Sequence, residues 1–592
     1  MSASAVRVET DAAPSRASPE VDMAEMEGQY FDPSSGLTFL HRAYNKLATS
    51  QQRGLAPHDL RGLGVEQPLM RAGDRPIVRG DGVGIMPEGP AALELLAFYF
   101  DACVVTYHIF HQPTVTAWLD AMLSNTDQGL PLHHGIGHAK ASIILTIFAI
   151  ATLRRNKVNM TTSSEMNEDQ LLAKSDRYFV AATELTEAET GLPRLESAQT
   201  RLVQVLYLLQ TSRMNQAWYV FGTTSQIVSA LGLHRGPGRK RRNSPRQSRS
   251  DYINAQCRKR TFWAAYIIDK YLSVVFGRPM QHRDEDIDQD FPDPVNDEDM
   301  TPQGPSGSEA QEGCHLDAMI FHAKHVLPCF SPGAMTCQVN YQADLLVTRH
   351  RIARIIGLIS REVYTIKPIA TRERVAAAHR AGRQLHEWRE ALPVHLGNVK
   401  PSILIPRFRR QAIALKLAYS HAIMHANRPF LLGQTMMGSP GRLDDEAVRD
   451  SVAECIAAAR VTLETINGMA GDGTLFNAFW WTSYVTFCAL AVVYVCEIQR
   501  GGWTSRGNGH ENGRGGDGSG AWFPGSELAG LDELAERCRA RLDRGTSVDS
   551  PNRRYIIVLE ELRLEARRQS SAVAARLGDE SNRHGPGFWD IA

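Results

Sequence analysis

The sequence predicts an all-α protein: a large multi-helix domain with irregular loops and a disordered N-terminal leader. Three observations predict it. Apolar residues recur at helical spacing from about residue 91 onward, convincing period-two strands are absent, and proline and glycine fall where helices start and stop. The 43% hydrophobic and 22% charged residues are ordinary globular values, enough for a sizeable core over 592 residues.

In chain order, residues 1–27 read as the leader: Ala, Ser, Pro and acid without a period. Residues 28–90 hold a short helix start after the Asp32–Gly36 turn, then an irregular Gly-, Pro- and Arg-rich connection. From 91, Leu93, Leu96, Tyr99 and Phe100 are expected on one buried face, with helices over 114–124, 139–155 and 175–189. Pro193 is expected in the first turn of the next helix, where proline is tolerated. Leu202, Val205, Leu206 and Leu209 give it an i, i+3, i+4, i+7 stripe. Trp218, Phe221, Val228 and Leu231 line the following helix, ended by Gly232.

A charged loop over 236–251 precedes a helix over 252–276, which stops at Gly277-Arg278-Pro279. Residues 284–299 are acidic, the run Asp284, Glu285, Asp286, Asp288, Asp290 is expected to be a solvated loop, and a polar linker follows at 301–313. Helical period returns over 340–366, 371–390 and 406–426, with Asn427-Arg428-Pro429-Phe430 expected to end the last, and then over 447–469 and 474–500. Residues 501–525 are a Gly-rich linker, and 526–592 hold the closing helices and tail.

The 65 basic and 65 acidic residues cancel. A body that wraps nucleic acid over its whole surface would be basic, so any DNA contact is local or supplied by another module. Nine cysteines, an odd count with no apolar leader ahead of them, point to a reducing compartment rather than a disulfide framework. Residues 476–496 lack charge over a length that could span a bilayer. Asn477, Thr482, Ser483 and Thr486 interrupt the run and no basic cluster precedes it, so a buried core helix is the expected reading.

Candidate chemistry is thin. His108/His111 and His421/His425 are spaced to share a helix face, and His133, His134 and His138 cluster near a glycine-containing turn. None has the HExxH base, and no CxxC is present, so core or surface histidines are expected and no metal ligand is assigned. No GxSxG elbow, phosphate loop or nucleophile–base pattern occurs, so no catalytic or cofactor-binding residue is assigned. The basic run Arg239, Lys240, Arg241, Arg242 on a loop suits the acidic groove of an import receptor and is the nuclear-import candidate; a solvated loop is its plain alternative.

One stretch is specific in its order and spacing. It comprises Trp218, Gly222, Leu231-Gly232-Leu233-His234-Arg235, Arg258, Arg260, Phe262-Trp263, Tyr266, Asp269, Gly277-Arg278-Pro279, Asp286, Asp288 and Pro292. It resembles the middle homology, or regulatory, region of the fungal-specific transcription factors, the binuclear zinc-cluster regulators. Weaker echoes are Tyr30–Ser35, Leu385–Trp388 with Leu392-Pro393, and Asn427–Phe430. The resemblance implies a regulatory domain over 91–500, a nuclear transcription regulator, DNA as a partner, and a small-molecule effector, a co-regulator protein or a second copy as further partners. It also implies a zinc cluster of six closely spaced cysteines; here the first cysteine is Cys103, so zinc and base contact are expected only from a module upstream. A co-regulator that does not bind DNA is the alternative. Read from the residues, Phe262, Trp263 and Tyr266 anchor a core, Gly277 and Pro279 end a helix, and Asp269 is expected to pair with Arg278 beside that end.

Overall fold

The computed structural model describes residues 25–26, 29–30, 35, 38–39, 74–78, 84–104, 106–160, 168–236, 251–293, 295–306, 341–365, 367, 369–397, 399–436, 446–471, 480–504, 530–544 and 553–583. Residues 25–26, placed in the expected leader, instead form strand β1 (Glu25–Met26), paired antiparallel with β2 (Gln29–Tyr30).

Helix α1 (Gly89–Phe98) starts with proline in its first turn, where the missing N–H costs nothing. Its buried row is Ala92, Leu95, Leu96 and Tyr99, at i, i+3, i+4, i+7. Leu93, expected on that face, is 44% exposed because it stands one residue, a quarter turn or so, off the row. The helix then widens into a π turn over Tyr99–Cys103.

Helices α2 (Gln112–Asp127), α3 (His138–Met160), α4 (Glu168–Glu187), α5 (Leu195–Gln210) and α6 (Met214–Ala230) follow. Every residue of α3 from 141 to 151 is buried, as its uncharged, mostly apolar run demands, with the Ser142 and Thr146 hydroxyls hydrogen-bonded inside, and α1, α2, α4 and α5 pack around it. Arg194 caps α5, so Pro193 lies just ahead of the cap rather than inside the first turn. Gly232 takes φ +60° just past α6, the left-handed conformation that side chains disfavour.

Helix α7 (Tyr252–Phe276) matches the expected span, capped by the Asp251 side chain on the Ile253 N–H and ended by Gly277 at φ 63°. All of 260–276 is buried. It touches α5 and α6 on one side and α8 (Tyr341–Glu362) on the other, so it joins the two halves of the molecule. A hairpin of β3 (Met300–Thr301) and β4 (Gly304–Pro305) sits against it, where a linker was expected.

The second half stacks α9 (Thr371–Glu390), α10 (Pro406–Met436), α11 (Glu446–Gly471), α12 (Trp480–Thr504), α13 (Leu531–Arg544) and α14 (Arg553–Arg583). Asn427–Phe430 does not end α10; Pro429 lies inside it. Proline at 429 cannot donate to the carbonyl of His425, and the Tyr364 hydroxyl supplies that bond at 2.8 Å, so the helix continues. Helix α12 is long and apolar enough over Trp480–Gln499 to cross a membrane, but 83% of that window is buried against other helices. It packs on α10, α11, α13 and α14, the arrangement of a core helix. Buried apolar residues from α1 to α14 form one continuous core.

Candidate functional site

Two features stand out, a clasp made by the motif residues and a cavity between the halves.

The clasp is the acidic stretch 284–299 folded back over α7. Trp263 is buried, donates from Nε1 to the Asp290 carbonyl at 3.0 Å and stacks on Phe291 with centroids 4.8 Å apart. Phe262 is buried beside it, and the Tyr266 hydroxyl donates to Asp284 at 2.6 Å. The end of α6 joins in. Leu231 offers its carbonyl to Arg258, buried Leu233 offers its carbonyl to Gln289, His234 accepts from the Asp288 N–H, and Arg235 pairs with Asp288 at 3.2 Å. A Cβ on Gly236 would come within 2.8 Å of the Asp288 carbonyl oxygen, so the approach there requires glycine. Gly222 lies inside α6 and Trp218 packs edge-on against Phe276.

The acidic stretch is thus partly internal beyond the run expected to be solvated, whose residues 284–290 are half-buried or exposed. Asp297 is 3% exposed and pairs with Arg260 at 2.7 Å. Burial by itself would raise the Asp297 pKa. Hydrogen bonding and charge from His108, the Arg260 charge and the Gln112 N–H outweigh it and hold the carboxyl well below the usual range. His108 and His111 stand on a non-helical segment rather than a helix face, and both meet Asp297: His108 through the carboxylate, His111 through the carbonyl at 2.9 Å. His133 and His138 stack with centroids 4.0 Å apart, and His421 and His425 are buried in α10. Among the described residues no group of three His, Cys, Asp or Glu side chains could hold a metal.

Asp269 does not pair with Arg278. Its carboxylate accepts the backbone N–H groups of Gln281 and His282 at 2.9 and 3.0 Å and lies 3.6 Å from Lys270 Nζ. Arg278 lies over the Trp218 and Phe276 rings at 5.2 and 4.9 Å. Pro279 comes next in the non-helical exit. The helix stop is therefore held by carboxylate-to-backbone bonds, which suit a buried anion better than a long side chain folded back would. The import candidate Arg239, Lys240, Arg241, Arg242 lies outside the described residues.

The cavity, of about 180 Å³, was not indicated by any motif. Its wall on the first half comes from the π turn and the loop after it (Tyr99, Cys103, Tyr107), from α3 (Ile150, Arg154) and from α5 (Leu206). Its wall on the second half comes from α8 (Arg349), α10 (Arg410, Ile413, Leu417), α11 (Met469) and α12 (Trp481). The lining is mostly apolar, with arginines and the polar side chains of Thr106, Gln210 and Thr482 among it, and no carboxylate is among the described lining residues.

Arg154 is 1% exposed and Arg349 is 3% exposed. Burial, then the neighbouring Arg410 charge, push Arg154 down to about 10, and burial pushes the facing Cys103 thiol up to about 12. Arg349 lies 5.9 and 5.6 Å from the Tyr107 and Tyr271 ring centroids, while its Nε and Nη1 find no hydrogen-bond acceptor among the described residues. The indole Nε1 of Trp481 and the hydroxyl of Tyr271, whose rings meet edge-on at 4.3 Å, are likewise buried without one. Such groups cost about 1–3 kcal/mol each when left unsatisfied. Sequence reading had no signal for this site: an isolated arginine on an amphipathic helix reads as solvent-facing, and the walls come from segments over three hundred residues apart.

Residues 96–390 match the family described as the fungal specific transcription factor domain. Activator of stress genes protein 1 of Candida albicans is 23% identical over 432 residues, covering 69% of this chain and 40% of that protein. Activator of stress genes 1 of Saccharomyces cerevisiae is 24% identical over 420 residues, 70% of this chain and 39% of that protein. Transcriptional activator protein acu-15 of Neurospora crassa is 21% identical over 333 residues, 55% and 30%. The chain thus spans about 40% of the length of the first two.

Proposed function

Since the chain belongs, through residues 96–390, to the fungal specific transcription factor family and resembles transcriptional regulators, we propose that it is a nuclear regulator of RNA polymerase II transcription in a fungus. Its helical domain senses a signal or partner and passes that to transcription. The observation that supports sensing is the cavity walled by both halves of one core. A ligand bound there touches helices on both sides, so it favours whichever packing of the halves fits it and shifts the population of active molecules. No catalytic role is assigned.

DNA recognition is assigned to a zinc-cluster module, and no run of six closely spaced cysteines occurs within residues 1–592. The expected result of a mobility-shift assay with this chain is no sequence-selective binding; tight selective binding would overturn that assignment. The zero net charge favours, as a second reading, a co-regulator acting through protein contacts. Tethering the chain to a heterologous DNA-binding domain is the test of regulation. A reporter should change expression, and Ala414→Phe, which narrows the cavity, should alter the response; a reporter indifferent to tethering would sink the proposal. Nuclear entry is assigned to the Arg239–Arg242 run, and replacing all four with Ala should abolish nuclear accumulation of a fluorescent fusion.

A further inference from the structure

The wall of the cavity between the halves selects by charge as well as by size. At about 180 Å³ the space is a little larger than one that encloses a benzene ring, about 150 Å³, and below the range of ordinary drug-sized sites. Ile150, Leu206, Ile413, Leu417 and Met469 give it apolar faces from both halves. Such faces hold water poorly, so an apolar body of matching size enters without displacing a well-bonded water. Four arginines are among the described lining residues, and their donors serve the protein rather than the space. Arg409 donates to the carbonyls of Pro401, Ser402 and Leu404 at 3.0, 2.7 and 3.2 Å, and Arg410 donates to the Asp101 carbonyl at 2.7 Å. Arg349 lies against the Tyr107 and Tyr271 rings. The three guanidinium nitrogens of Arg154 and the Nε and Nη1 of Arg349 are shielded on all sides, so a molecule in the space does not reach them. A carboxylate that leaves water for this space therefore loses its hydration and gains few direct bonds in return. An ammonium meets four like charges and no described carboxylate. The polar groups left for a ligand are the uncharged side chains of Thr106, Gln210 and Thr482. Hydroxyl and amide groups both donate and accept, so they answer an alcohol or a carbonyl without requiring charge.

We propose that this cavity binds a compact uncharged molecule, a ring or branched hydrocarbon body bearing one alcohol or carbonyl group, and rejects organic ions of the same size. This deepens the sensing reading and rests on it. The body of the ligand bridges Ile150 of α3 and Leu206 of α5 to Ile413 and Leu417 of α10 and Met469 of α11, so occupancy ties the halves together.

The test uses the whole chain and four probes: the uncharged benzyl alcohol and cyclohexanol, the anion benzoate, and benzylamine, a cation at pH 7. In calorimetry and thermal melts, at least one alcohol should bind saturably and raise the Tm, with benzoate and benzylamine each at least tenfold weaker. Ala414→Phe fills the space and should weaken the alcohol at least tenfold. If that variant fails to fold, Ala414→Leu serves instead and should weaken the alcohol in the same direction. Benzoate or benzylamine binding as tightly as the alcohols would overturn the proposal, and so would alcohol binding that survives the space-filling variants. No saturable binding by either alcohol would overturn it outright. The sensing reading stands or falls separately on the tethered reporter.

Discussion

At the scale of single residues, a few charged groups are buried, and Asp176, Asp269 and Asp297 are each answered in a distinct way. Asp176 and Arg213 are both fully buried and joined by two bonds of 2.7 and 2.6 Å, with the Tyr207 hydroxyl and the Val78 N–H also donating to the carboxylate. Removing one member strands the other in a dry site. Asp176→Ala is expected to cost about 3–5 kcal/mol, read as a lowered denaturation midpoint in urea. His421 carries a different signature. Burial, then the nearby Arg428 charge, lower its pKa to about 3. Between there and about 6.5 the unfolded chain binds a proton that the folded one refuses. Stability from this neutral ring is therefore complete above about pH 6.5 and declines as the pH falls, by up to about 1.4 kcal/mol per pH unit. His421→Phe, which keeps a ring against Trp481, should flatten the dependence of Tm on pH between 7 and 5; an unchanged slope would contradict the assignment.

Among elements, α7 is the one whose course was most legible. The Asp251 cap, the dense aromatic run and the Gly277 stop are local signals, and local signals survive folding. The exit geometry is strict: Gly277→Ala places a Cβ in the left-handed region and is expected to cost about 1–2 kcal/mol, measured by thermal melt. Legibility failed where a partner distant in sequence overrides a local rule. Pro429 reads as a helix stop, yet Tyr364 satisfies the freed carbonyl from another segment and α10 runs on. Nothing local in the acidic stretch 284–299 marks Asp297 as internal, yet Arg260 and His108 draw it inside. In each case the deciding group lies more than thirty residues away, beyond any local pattern.

For the whole molecule, the helical class followed from periodicity, while the cavity did not, because a space between packed helices has no sequence period of its own. The continuous core makes a further demand. Buried side chains from α1 to α14 form one cluster, and α7 is covered from both sides. Residues 1–306 and 341–592 expressed separately are each expected to lack a cooperative melt, since each would expose the seam that the other covers. Two independent sharp transitions would show instead that the halves are separate folding units.

The wide turn at Tyr99–Cys103 sets where this chain can tolerate a change of length. A π turn closes over five residues rather than four, so it stores one residue more than the plain helix would hold. Deleting Asp101 would remove that stored residue and let the turn close as plain α-helix. The wide turn that carries Tyr99 and Cys103 into the cavity wall would then be lost. A single lost codon here is expected to lower the Tm and reshape the cavity together, and a deletion that leaves the Tm unchanged would count against it. The bulge acts as a spacer, and it ties the shape of the buried chamber to the length of the polypeptide as well as to its side chains.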